Sequence, residues 1–143
     1  MIKKLAVFVF ALTVFTTVSN AQYNTGDAKL DAFLVGINDD AKKDPVVFTK
    51  DMSTTYKVPE TQVKTMSESG MKSGDIFMVL ETAKITKKPV DEVVKVYKAN
   101  KDKGWGAISK ELGIKPGSAE FKALKGSAEA KSKKSKSAKA KSK

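Results

Sequence analysis

The residues whose types and spacing could do chemistry are densest between Lys103 and Leu124. Trp105, the single tryptophan, stands between Gly104 and Gly106, and Ile114-Lys115-Pro116-Gly117-Ser118 follows. A flat indole beside two residues without Cβ atoms can lie close to backbone, or offer its face to a sugar ring. Backbone amides near Ser118, at the start of a helix, could hold an anion with help from Lys115. Trp105, Lys115 and Ser118 are therefore the candidate ligand or anion contacts. The same stretch also has a structural reading: Trp105 as a core plug, Gly113 as a left-handed helix stop, Ser118 as an N-cap.

The acids offer less. Asp39, Asp40 and Asp44 lack the alternating order and the terminal Glu of a calcium loop. Asp91 with Glu92, or Glu111, could serve a glycan hydrolase, but no pattern isolates one carboxyl in an apolar setting, as acid–base tuning requires. The chain has no cysteine and no histidine, which removes disulfides, thiolate nucleophiles, Cys/His zinc sites and imidazole catalysis. All 27 basic residues are lysines, so bidentate guanidinium recognition is absent as well. No catalytic, metal-ligating or cofactor-binding set emerges, and the expectation is a protein that is not an enzyme.

Charge is concentrated at the carboxyl end. Of the +11 total, residues 126–143 carry +6, from Lys131, Lys133, Lys134, Lys136, Lys139, Lys141 and Lys143 against Glu129. This Ala/Ser/Lys stretch has no apolar side chain larger than Ala, so it is expected to be disordered. It reads as a polycation for anionic envelope polymers, lipid phosphates or extracellular nucleic acid, or as a merely solubilising tail. On duplex DNA its lysines would give a log–log salt slope no steeper than about −6.

The amino terminus has the three parts of a secretory signal. Lys3 and Lys4 precede the apolar run Leu5 to Val18, and Ser19-Asn20-Ala21 places small residues before a cleavage point between Ala21 and Gln22. The run is shorter than the ~20 residues of a spanning helix, which leaves a retained anchor as the lesser alternative. A periplasmic or secreted bacterial protein is expected.

These residues must be positioned by helices. Residues 22–27 are polar and expected to be flexible. Leu30, Phe33, Leu34 and Ile37 fall on one helical face, interrupted by Gly36; Phe48, Met52 and Tyr56 form a second, although Val46-Val47-Phe48 could also open a strand. Val63 and Met66 follow, with Gly70 as a stop. Ser73 is expected to cap a helix with Asp75 in its first turn and a buried face of Ile76, Val79, Leu80 and Ala83. Val90, Val93, Val94 and Tyr97 make the cleanest amphipathic pattern. The expected fold is all-α: a small orthogonal bundle of short helices over residues 28–125.

A weak internal repeat agrees with this. Tyr56-Lys57-Val58-Pro59, Ile85-Thr86-Lys87-Lys88-Pro89 and Leu112-Gly113-Ile114-Lys115-Pro116 each join two apolar segments, with prolines 30 and 27 residues apart. About three helix–turn–helix hairpins in sequence would look like this.

The run GWGAISKELGIKPGSAEFKAL, with Ser73-Gly74-Asp75 and Lys88-Pro89-Val90-Asp91-Glu92-Val93-Val94 upstream, resembles a family of small exported bacterial proteins with a C-terminal GWG…LGIKPGS…EF signature. The likeness spans roughly residues 45–125 and implies an exported helical domain, with no particular chemistry. Relatives often carry His where this chain has Lys122. Ala107 to Ile114 also looks like the start of a DNA-binding helix-turn-helix unit. The lengthened turn, and a second helix with only Lys122 and Lys125 as donors, argue against sequence-specific DNA readout. The resulting expectation is an exported helical binding module with a polycationic tail. The alternative is a small envelope enzyme or ligand binder acting on cell-wall glycan through Trp105 and an acid such as Glu111.

Overall fold

The computed structural model describes residues 23–141, and the Ala21–Gln22 cleavage point and Lys143 lie outside the described residues. Among the described residues the chain is all helical: α1 (Ala28–Lys43), α2 (Pro45–Tyr56), α3 (Glu60–Glu68), α4 (Ser73–Thr86), α5 (Val90–Asn100), a 3-10 turn (Lys101–Lys103), α6 (Trp105–Glu111) and α7 (Ala119–Ala140). They pack as a small bundle around α4, which touches α1, α2, α3, α5 and α7.

The reason for α4's place is its composition. Ten consecutive residues, Gly74 to Ala83, are buried, so the helix has no solvent face over that span. A helix apolar all round can only be stable when surrounded. The single buried stripe expected for this helix is therefore corrected to a whole circumference, with Phe77 and Met78 joining Ile76, Val79 and Leu80 in the core. Its start is also corrected. Lys72 is the N-cap, and Asp75 Oδ2 accepts from the Lys72 amide at 3.1 Å.

The other helices start and stop for local reasons. Asp27 accepts from the amides of Lys29 and Leu30 at the head of α1. Asp44 accepts from Val47 N with Pro45 in the first turn of α2, which resolves the strand alternative in favour of helix. Helices α2 and α4 end alike, on Lys57 and Lys87 in the left-handed conformation, and Pro59 and Pro89 precede α3 and α5 with almost the same dihedrals. The first two members of the sequence repeat are thus one turn used twice. The third stops on Gly113 at φ +90° and needs Pro116-Gly117 before Ser118 caps α7.

Two expectations about the ends are overturned. Residues 23–27 are not a loose leader: Tyr23 is 1% exposed and Thr25 is buried. Tyr23 O accepts from Trp105 N at 2.8 Å and Asn24 O from Gly106 N at 2.9 Å. The carboxyl segment expected to be disordered continues α7 as far as Ala140. Its small side chains are the reason. Ala128 and Ser132 are buried on the helix's inner side, and Ser132 Oγ would lie only 3.2 Å from a Cβ on Gly36 of α1. Close approach of small residues supplies the packing that large apolar groups supply elsewhere, while Lys125–Asp27, Lys131–Asp51 and Ser127–Glu81 contacts pin the helix.

Candidate functional site

Two carboxylates on α4, Asp75 and Glu81, are the buried acids of the described residues. Each gathers hydroxyl or N–H donors from helices distant in sequence, and each borders a cavity.

Asp75 collects the Trp105 region. Trp105 Nε1 donates to Asp75 Oδ1 at 2.8 Å, and the Tyr97 hydroxyl lies within reach of the charge on this carboxylate. The indole and the Tyr97 ring stack at 5.5 Å between centroids. Nearby, Asn38 donates to the Tyr23 hydroxyl and accepts from Gly74 N at 2.7 Å. Gly104, at φ +82°, is needed because a Cβ there would lie 2.6 Å from that of Asn24. The glycines beside Trp105 thus admit the crossing segment Tyr23–Thr25, while the ring itself turns inward. Burial, then the charge of Asp75, pushes the Tyr23 and Tyr97 hydroxyls well above the usual tyrosine range. Trp105 is 2% exposed and borders a cavity of about 200 Å³ that Lys72 and Lys101 also line. It is a core side chain and presents no open face to a sugar.

Glu81 collects α2 and α7. Tyr56 donates to Oε2 at 2.6 Å and Ser127 to Oε1 at 2.7 Å, with Lys84 Nζ 3.9 Å from Oε1. Burial, and then the hydrogen bond to Glu81, raises the Tyr56 hydroxyl far above its ordinary value. Lys84 lies 5.9 Å over the Tyr56 ring. A cavity of about 220 Å³ opens beside these groups, walled also by Phe77, Asp51, Lys131 and Lys134. Such a cavity sets a fixed carboxylate, a phenol and lysine ammonium groups into a mainly apolar wall.

The remaining sequence candidates are dispersed. Lys115 is exposed in the α6–α7 connection, and Ser118 Oγ accepts from Phe121 N at 3.2 Å, a helix cap. Neither lines the cavities beside Asp75 or Glu81. Glu111 is exposed on α6. Of the lysines assigned to the tail, Lys131 pairs with Asp51 and lies 5.9 Å over Phe48, and Lys133 pairs with Glu129 at 2.6 Å. Lys134, Lys136 and Lys141 are exposed with no carboxylate partner among the described residues. Lys139 lies in the last turn of the helix.

Sequence reasoning placed Asp75 at a helix start and overlooked Glu81, Tyr56 and Ser127. Only one signal pointed to the two acids: Asp75 and Glu81 bracket an unbroken apolar run, Ile76 to Leu80, whose helix has no exposed side for them. No helix of the described residues is long and apolar enough to cross a membrane, and no group of three or more acids there could hold a metal. No family model, curated protein or solved structure matches the chain.

Proposed function

We propose that the protein is a non-enzymatic binding module of the bacterial cell envelope, exported through its amino-terminal signal, whose lysine-bearing helix α7 associates with anionic envelope polymers. The observation that carries this reading is the exposed end of α7, where Lys134, Lys136 and Lys141 face solvent without a carboxylate partner among the described residues. An ordered helix holds these charges on a scaffold, so the polyanion meets a pre-arranged surface and less ordering entropy is lost on binding. What supports the compartment is the signal pattern of the sequence, Lys3 and Lys4 ahead of the apolar run Leu5 to Val18 and the small residues that follow it.

Deleting the carboxyl segment is not a clean test, because Ser127, Ala128 and Ser132 are built into the fold. Charge removal on the surface is. Lys134→Gln with Lys136→Gln is expected to weaken co-sedimentation with envelope fractions several-fold and to flatten its salt dependence, with melting temperature unchanged. Equal sedimentation of the parent and the double variant would remove α7 from the account.

A second reading, a ligand binder or small enzyme acting on cell-wall glycan, is favoured by the cavity beside Glu81 rather than by Trp105 or Glu111. Glycan turnover lost in Glu81→Gln with folding intact is its requirement. An absence of turnover in the parent dismisses the enzymatic form.

A further inference from the structure

Val46 and Val47 are exposed to 75% and 60%, the large hydrophobic residues left in water among those described, and they stand side by side in the first turn of α2. Helix α2 does not need them, since Asp44 and Pro45 already start it and valine is a weaker helix former than alanine. They end a run, Lys42 to Val47, in which every residue is exposed.

The register of α1 against α7 decides what stands beside them. The two helices run parallel: Lys125 pairs with Asp27 ahead of α1, Ser132 faces Gly36 at its middle, and Lys134 and Ser135 share a cavity wall with Asp40, Ala41 and Val47 near its end. From Asp27 to Lys43, and from Lys125 to Lys141, the same number of residues rises by about 24 Å at the helical 1.5 Å per residue. The carboxyl ends of α1 and α7 therefore finish level. The last lysines of α7 share one pole of the bundle with Val46 and Val47.

The charge offered there is positive. Asp51 is paired with Lys131, Asp40 with Lys43, and Asp44 accepts from the Val47 amide. Against the exposed Asp39, the lysines Lys42, Lys134, Lys136 and Lys141 are exposed towards these helix ends. Between α1, α2 and α7 a cavity of about 280 Å³ has Ile37, Ala41, Val47 and Phe48 as its apolar wall.

We infer that this pole docks on an anionic lipid bilayer, with Val46 and Val47 entering the boundary between headgroups and acyl chains and the lysines contacting lipid phosphates, an attachment that rests on the polyanion reading for its electrostatic half. A short apolar insertion and a polybasic patch each bind a membrane weakly, and together they hold a protein there. A soluble polyanion or wall polymer would engage the lysines and gain nothing from two valines. A second copy meeting this pole would set two lysine clusters against each other, which like-charge repulsion opposes.

The test compares the intact protein, V46S/V47S and K134Q/K136Q on three probes: phosphatidylglycerol-containing vesicles, pure phosphatidylcholine vesicles and soluble polyphosphate. The expected result is that V46S/V47S partitions roughly tenfold less onto the anionic vesicles, as loss of two partly inserted valines implies, yet binds polyphosphate like the parent. K134Q/K136Q should weaken both, and V47W should shift its emission to the blue on anionic vesicles only. Parent-like partitioning of V46S/V47S, equal binding to phosphatidylcholine, or polyphosphate binding without vesicle binding would overturn the lipid assignment and leave the polyanion reading standing. Binding to none of the probes would overturn both. A concentration-dependent dimer abolished by V46S/V47S would assign the pole to a second copy instead.

Discussion

The indole N–H of Trp105 lies 2.8 Å from Oδ1 of Asp75, tying the first turn of α6 to the first turn of the central helix. The same carboxylate accepts from the Lys72 amide, so one buried anion closes a helix start and fixes the indole on which the Tyr97 ring stacks. Asp75→Ala would strand the donors around it. We expect it to cost about 3 kcal/mol of stability, and Trp105→Phe about 2 kcal/mol, in urea unfolding followed by circular dichroism. Because the two groups share one bond, the double variant should lose less than the sum. Full additivity would show that the bond contributes nothing of its own.

All three tyrosines of the chain have hydroxyls raised above the ordinary value of 10.0, burial being the largest cause for each. A raised folded-state value means that the neutral phenol is favoured in the fold. Stability from this source is complete below pH 10 and is lost as pH rises beyond it, because the unfolded chain ionises first. Tyrosinate absorbance near 295 nm should therefore appear only together with loss of helical ellipticity. A tyrosine that titrates near pH 10 in a still-folded protein would contradict the burial of its hydroxyl.

Lys57 and Lys87 terminate α2 and α4 at φ 55° and 56°, a conformation that a Cβ makes costly. Lys57→Gly and Lys87→Gly should each stabilise the fold by roughly 0.5–1 kcal/mol, glycine being the residue that left-handed helix stops favour. Thermal melts of the single variants decide this. Unchanged or lowered midpoints would mean that the lysine side chains contribute contacts that offset the strain.

Thr82 Oγ1 is fully buried on α4 and has no hydrogen-bond partner among the described residues. Replacing it by the nearly isosteric Thr82→Val removes an unpaired hydroxyl without opening a cavity. A gain of about 1 kcal/mol in denaturant unfolding is expected. A loss would reveal that the hydroxyl is satisfied in solution, by water for instance.

A chain ending at Lys125 would remove Ser127 from Glu81, Lys131 from Asp51, and Ala128 and Ser132 from the packing against α1 and α4. The expected cost is roughly 2–4 kcal/mol, with helical ellipticity falling by more than α7 alone accounts for as neighbouring helices loosen. A truncated chain that melts like the parent would return residues beyond Lys125 to the status of an appendage.

Much of the fold was legible locally. The face Leu30-Leu34-Ile37, the Asp44-Pro45 start, the stop at Gly113 and the Ser118 cap follow from side chains acting on their own backbone or along one helix, and period and capping chemistry report such interactions. The lysine turns repeat because the same helix-stop problem occurs twice with nearly the same residues. The buried acids were not legible. A carboxylate six residues along from another on one helix reads as solvated unless the far face is known to be covered, and only the packing of α2 and α7 on α4 covers Glu81.

By itself the sequence determined the helical class, the lysine-only chemistry, the missing imidazole and thiol, and where most helices begin and end, since these depend on composition and short-range contacts. The tertiary structure alone decided that Tyr23 belongs to the core, that Trp105 turns inward to Asp75, and that an Ala/Ser/Lys segment becomes the ordered helix α7. The physical reason is the same in each case. Burial is a property of the whole set of neighbours, and a small or polar side chain becomes interior only when distant helices come close enough to enclose it.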